Sequence, residues 1–184
     1  MALTKKAITD IETSIRKLTK KGKFAPATED EMKQLSDLCE GKMPEDMQKF
    51  FAECMPQEEV DLGDCVLYPL SRILAENSDY VPGCIIKPFG FVTIASTPDG
   101  DAIALDITKP KGHIYQCSHS LISEDGMSFY ADEMVHLDLN YENIIKCSYD
   151  AQPNFCEFIK WAKYGTFGTN CLIKRVIEEY ENNN

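Results

Sequence analysis

Three side chains suited to metal binding or nucleophilic chemistry stand close together in the chain: His113, Cys117 and His119. A Cys beside a His can ligate zinc, or the imidazole can take the thiol proton and leave a thiolate nucleophile. In an extended strand the three share parity and project from one face. Their spacing, however, spreads them over about 20 Å at ~3.3 Å per residue, beyond the reach of one ion. Tyr115 shares that face and Ile114 takes the other, so packing explains the pattern equally well. Asp99, Asp101 and Asp106 gather carboxylates around Gly100, but the run lacks the alternating ligands and distal Glu of a calcium loop. Turn chemistry accounts for Asp99. Gly165-Thr166-Phe167-Gly168-Thr169 precedes an expected helix, whose first N–H groups can receive an anion. No Lys follows in the manner of a phosphate loop, so helix breaking is the simpler role. These residues compose no active site. The expectation is a chain with no catalytic residue, no metal and no cofactor, and not an enzyme.

The elements that must position these residues centre on residues 87–107, KPFGFVTIASTPDGDAIALDI. Apolar runs at 89–95 and 102–107 flank Thr97-Pro98-Asp99-Gly100-Asp101, a strand, turn and strand. In the second run Ile103, Leu105 and Ile107 point one way and Ala102, Ala104 and Asp106 the other. The first run is apolar on both faces, as a central strand covered on both sides requires. Ahead of it, residues 4–20 place Ile8, Ile11, Ile15 and Leu18 on one helical stripe. Phe24-Ala25-Pro26 is a linker, and Thr28 with Glu31 forms a capping box for a helix ending at Gly41. Pro44 opens a third helix with Met47, Phe50, Phe51 and Cys54 inward. Residues 57–64 are an acidic loop, 65–70 a short strand leading into a turn or short helix, and 77–83 irregular. Further strands follow at 113–119 and 134–139. Pro153 opens a helix with Phe155, Phe158 and Ile159 inward, and Asn170 caps a last helix. Helices first, an antiparallel sheet of about four to six strands, and helices last make a single α+β domain.

Charge limits the partners. Residues 1–27 carry seven Lys or Arg against Asp10 and Glu12, whereas the whole chain has a formal net charge of −11. Seven acids lie in residues 43–64 against one Lys, and six lie in 121–142 with no Lys or Arg. Such a field repels nucleic acid and membranes and draws basic partners. The basic first helix is one small patch on an acidic body and serves as a solvated face. Eight cysteines include no CxxC pair, no secretory apolar region follows Met1, and no apolar run approaches the ~18 residues of a membrane helix. Reduced thiols in a cytoplasmic protein are expected.

The order of these motifs resembles the SUKH superfamily of cell-wall-assembly regulators and killer-toxin-resistance proteins. The resemblance is carried by the capped helix 28–39, Met43-Pro44-Glu45-Asp46 with Phe50 and Phe51, and Leu67-Tyr68-Pro69-Leu70. It continues through Pro88-Phe89, Gly100-Asp101, Leu105-Asp106 and the closing helix of Phe155, Phe158 and Ile159. It covers residues 28–164 and leaves 1–27 as an N-terminal helix and linker and 165–184 as a C-terminal helical extension. Met55-Pro56 stands where the family often has an Asn-Gly turn, and 121–135 is longer than usual. The resemblance implies a non-catalytic binding protein. Bacterial members resemble immunity proteins that neutralise a cognate toxin, often a nuclease, while eukaryotic members act as regulatory or scaffold modules. The contact surface is expected at Glu58, Glu59, Asp61 and Asp64 and at Glu124, Asp125, Asp132 and Glu133, with Tyr68 and Tyr130 as aromatic anchors. Nothing in the sequence sets an oligomeric state.

Overall fold

Capping and apolar spacing set the first three helices. The computed structural model describes residues 3–130, 134–162 and 170–171. Helix α1 (Lys5–Leu18) starts where the Thr4 hydroxyl accepts the Ala7 N–H at 3.2 Å, and it buries Ile11 and Leu18. Strand β1 (Phe24–Ala25) follows. Helix α2 (Glu29–Leu38) opens on the expected capping box: the Thr28 N–H donates to Glu31 Oε2 at 2.7 Å and the Glu31 N–H to Thr28 Oγ1 at 3.2 Å. Together these bonds satisfy two of the orphan donors at the helix start. Helix α3 (Glu45–Glu53) follows Pro44 and buries Met47, Phe50 and Phe51.

Strands β2 (Met55–Pro56), β3 (Val60–Asp61) and β4 (Val66–Leu67) lead to α4 (Leu70–Ser78) and the single turn α5 (Gly83–Ile86). A 3-10 turn over Lys87–Phe89 then ends at Gly90, whose φ of 88° is left-handed. A side chain there would also meet Thr108 Cγ2 at 2.6 Å, so only glycine suits. Next come β5 (Phe91–Ser96), β6 (Ala102–Asp106) and β7 (His113–Cys117). They are followed by β8 (Ile122–Ser123), β9 (Gly126–Tyr130) and β10 (Met134–Leu137). Helix α6 (Tyr141–Lys146), β11 (Ser148–Gln152), α7 (Phe155–Ala162) and β12 (Asn170–Cys171) complete the order.

Six strands form the antiparallel sheet β11-β7-β6-β5-β4-β3, and the two-residue β12 pairs with the outer edge of β11. The α+β class is as expected. Every residue of β5 but Ser96 is buried, in keeping with a strand covered on both faces. Its ladder with β6 shifts register between Thr93 and Ala95, skipping Ile94, and the backbone of Thr93 is bonded by one buried side chain of α4. Asn77 donates to Thr93 O at 2.8 Å and accepts the Thr93 N–H at 2.9 Å.

The β6 parity divides the interior as the sequence predicts. Ile103, Leu105 and Ile107 join Val92, Ile94 and Ile114 beneath α1, α3 and α7, in the core that holds Phe50, Phe51, Phe155 and Phe158. Ala102 and Ala104 face the other way, with Phe91, Tyr115 and Cys117. That face is covered by the three-stranded sheet β8-β9-β10, by α5, and by Ile144 of α6. Helix α1 belongs to the first core, in contact with α3 and α7. No helix among the described residues is long and apolar enough to cross a membrane.

Several segments differ from expectation. Strand β11 falls on Ser-Tyr-Asp-Ala-Gln, which has no apolar alternation because its ladder with β7 bulges between Asp150 and Gln152. Phe89 belongs to the 3-10 turn and not to the strand after it. The linker at Phe24–Ala25 pairs with Met55–Pro56 as a two-stranded ladder, and the acidic loop contains β3. Asn170 lies in β12 and does not begin a helix; the remainder of the expected last helix lies outside the described residues.

Candidate functional site

The side chains of β7 take the face their parity assigns, yet they do not converge. His113 Nε2 lies 2.6 Å from Asp150 Oδ1 on β11, and its ring sits 4.6 Å from that of Tyr115. Cys117 is fully buried and its thiol accepts the Ser148 hydroxyl at 3.3 Å; burial pushes its pKa up to about 12. A thiol held neutral in this way is a poor nucleophile at ordinary pH. His119 lies beyond the strand end, where its backbone N–H (3.1 Å) and Nδ1 (2.9 Å) both reach Asp101 Oδ1. Gln116 donates to the other oxygen of Asp101 at 2.8 Å. His113 and His119 are thus each bound to a separate carboxylate. Among the described residues no three His, Cys, Asp or Glu side chains come together as a metal cluster.

Asp106 is the most buried of the carboxylates singled out in the sequence, with 0% exposure. One oxygen accepts the Thr108 N–H at 2.9 Å and the Thr108 hydroxyl at 2.6 Å. The other accepts the Tyr141 hydroxyl at 2.7 Å. The Tyr141 ring stacks on Phe91 with centroids 5.5 Å apart. The network fastens the start of α6 to the end of β6, a structural role for a buried charge whose lone pairs are satisfied. Burial, followed by the nearby Asp106 carboxylate, pushes the Tyr115 hydroxyl well above the usual tyrosine range, so it stays protonated. Asp99 remains exposed in the β5–β6 turn.

The acidic candidates separate into two groups on different elements. Glu58 and Glu59 lie just before β3 at the edge of the main sheet, Asp61 on it and Asp64 in the loop that follows. Glu58 pairs with Lys23 at 3.6 Å and Glu59 with Arg72 Nε at 3.8 Å. Asp61 accepts the Gly63 N–H at 2.8 Å. Glu124 and Asp125 sit exposed between β8 and β9 on the smaller sheet. Tyr68 does not offer a surface anchor: it is 5% exposed because its ring packs into the helix-covered core. The Tyr130 side chain, Asp132 and Glu133 lie outside the described residues. Asp46, counted among the acids of 43–64, is buried at the junction of α3 and α7. It accepts the Met47 and Cys156 N–H groups at 3.0 and 2.7 Å, and burial raises its pKa despite those bonds.

Sequence reasoning missed two features. The His113–Asp150 pair depends on a strand that carries no apolar signal. The exposed pair Tyr80 and Val81, beside Arg72, was legible only as two apolar residues before Pro82 in a polar stretch. Comparison with known proteins finds no matching family model, no matching curated protein and no matching solved structure. The resemblance to the SUKH superfamily therefore rests on the order of its motifs alone.

Proposed function

We propose that the chain is a non-catalytic protein-binding domain that meets a basic protein partner through its acidic surface. The observation that carries the proposal is the exposure of Asp61, Asp64, Glu124 and Asp125, none of them in an ion pair among the described residues. Unpaired charge of one sign on a chain of net charge −11 accelerates encounter with a basic surface and makes the complex salt-sensitive. The separation of His113, Cys117 and His119 into unrelated contacts supports the non-catalytic part. The SUKH-like motif order supports the narrower form, an immunity protein that neutralises a cognate toxin, for which a nuclease with a basic cleft is the fitting target. Free, buried cysteines suit a reducing cytoplasm.

Co-expression with a toxin-type domain encoded beside its gene, followed by titration calorimetry at low and high salt, tests this. A complex is expected whose affinity falls at least about tenfold with added salt. Lys substitutions at Asp61, Asp64, Glu124 and Asp125 should weaken it further. Indifference to both salt and charge reversal would overturn the proposal. A stable complex with an ordinary cellular protein, and none with a toxin domain, would replace neutralisation by a regulatory or scaffold role.

A further inference from the structure

We infer that Tyr80 and Val81, rimmed by Glu59 and Asp79, form the apolar centre of the surface on which the basic partner docks. This rests on the binding role proposed above and locates it. Helix α4 ends at Ser78, and residues 78–81 run exposed across the surface, with Tyr80 46% and Val81 47% accessible. Adjacent in the chain and each about half exposed, the two offer an apolar spot beside charged side chains.

Tyr80 is not a loose side chain. The Arg72 guanidinium lies 4.4 Å from its ring centroid and 5.5 Å from that of the buried Tyr68. Arg72 is held from two sides, by Glu76 Oε1 at 2.6 Å from Nη2 and by Glu59 Oε1 at 3.8 Å from Nε. A ring seated on a tethered cation loses little freedom on binding, which is what makes a tyrosine effective as an anchor. The cation in this arrangement is already engaged by Glu76 and Glu59. Glu59 and the exposed Asp79 therefore set the outward charge around the apolar pair. A tyrosine and a valine inside a carboxylate rim match a partner that presents an apolar side chain flanked by Lys or Arg. A second copy of this chain would bring like charges together and is disfavoured. Tyr80 thus takes the anchoring part that the sequence assigns to Tyr68, one layer further out on the same arginine.

A displayed library of random dodecapeptides, panned against the folded chain, tests the inference whatever the identity of the natural partner. Enriched peptides should combine basic residues with an aromatic or aliphatic one. Synthesised and titrated by fluorescence polarisation, they should lose at least an order of magnitude in affinity on Tyr80→Ala and on the pair Glu59→Lys and Asp79→Lys. Glu124→Lys with Asp125→Lys, on the smaller sheet, should change the affinity of so short a peptide less than twofold, their effect being reserved for a partner large enough to reach both groups of acids. Tyr80 is exposed, so an unchanged circular dichroism spectrum and melt are expected and show that each variant is folded. Basic peptides that ignore Tyr80 but respond at Glu124 and Asp125 would overturn the location and leave the binding role intact. Peptides without basic character, or no enrichment at all, would overturn both. A dimer in sedimentation that Tyr80→Ala dissolves would overturn the inference in favour of self-association.

Discussion

Both faces of the central sheet bury an apolar core, but the two cores are built differently. On the helix-covered face Phe50, Phe51, Phe155 and Phe158 are fully buried or nearly so, with ring centroids 5.3 to 6.0 Å apart in the contacts that join them. Their cohesion comes from many weak apolar contacts, none individually essential. On the opposite face β6 contributes only Ala102 and Ala104, and the end of that strand is tied down by Asp106, Thr108 and Tyr141. There hydrogen bonds add to the apolar contacts of Ile144 and Tyr141 in attaching α6, and loss of one partner leaves others buried and unpaired. The contrast teaches that the chain relies on aromatic bulk on one side of the sheet and, on the other, reinforces a mixed apolar cluster with directed bonds.

Several measurements can break or sharpen that contrast. Phe50→Ala should give the largest effect, a loss of about 3–5 kcal/mol in urea unfolding, because a cavity opens in the aromatic cluster. Asp106→Ala should cost about 1.5–3 kcal/mol by the same measurement, since the Tyr141 and Thr108 hydroxyls lose a charged acceptor. If Asp106→Ala proves neutral, the second face is held by apolar packing alone and the contrast fails.

Alkaline pH should weaken both faces, through thiols. Burial pushes Cys39, Cys54, Cys65 and Cys117 up to about 12 and Cys147 and Cys156 up to about 11. An unfolded thiol ionises near ~8.5, so above that pH the native state binds more protons than the unfolded one. The stability they contribute is complete below the unfolded pKa and is lost as pH rises towards the native values. Urea midpoints at pH 7 and pH 10 should show the decline. Cys117→Ala should reduce its slope if the strand-covered face shares in it. Native labelling with iodoacetamide should favour the half-buried Cys84 over these six. The smallest effect belongs to the exposed hairpin: Glu124→Lys should move the melting free energy by no more than about 0.5 kcal/mol. A larger loss would mean that the acid supports the strand-covered face instead of standing free for a partner.

Legibility in the sequence follows the same division. The stripe of Met47, Phe50 and Phe51 and the alternation of β6 were readable because burial against one surface imposes a period of 3.6 or 2. The Thr28 capping box was readable because both partners lie within one turn. Strand β11 was not, since a bulge and the polar contacts of Asp150 and Ser148 replace apolar alternation there. Of the proposed surface, the acids were legible as composition. The burial of Tyr68 and the exposure of Tyr80 were not, because which side of Arg72 each ring takes depends on how α4 packs on the sheet.

What the sequence by itself determined is what short-range physics controls: helices α1 to α3 and α7, the Thr28 capping box, the central hairpin with its two-faced strand, and the acidic balance of the chain. The tertiary structure alone decided which distant side chains meet. It joined His119 to Asp101 and His113 to Asp150 in separate pairs, buried Asp106 under Tyr141, and left Tyr80 and Val81 in water. These outcomes depend on strand register and on contacts between residues far apart in the chain, and spacing along a single chain does not encode them.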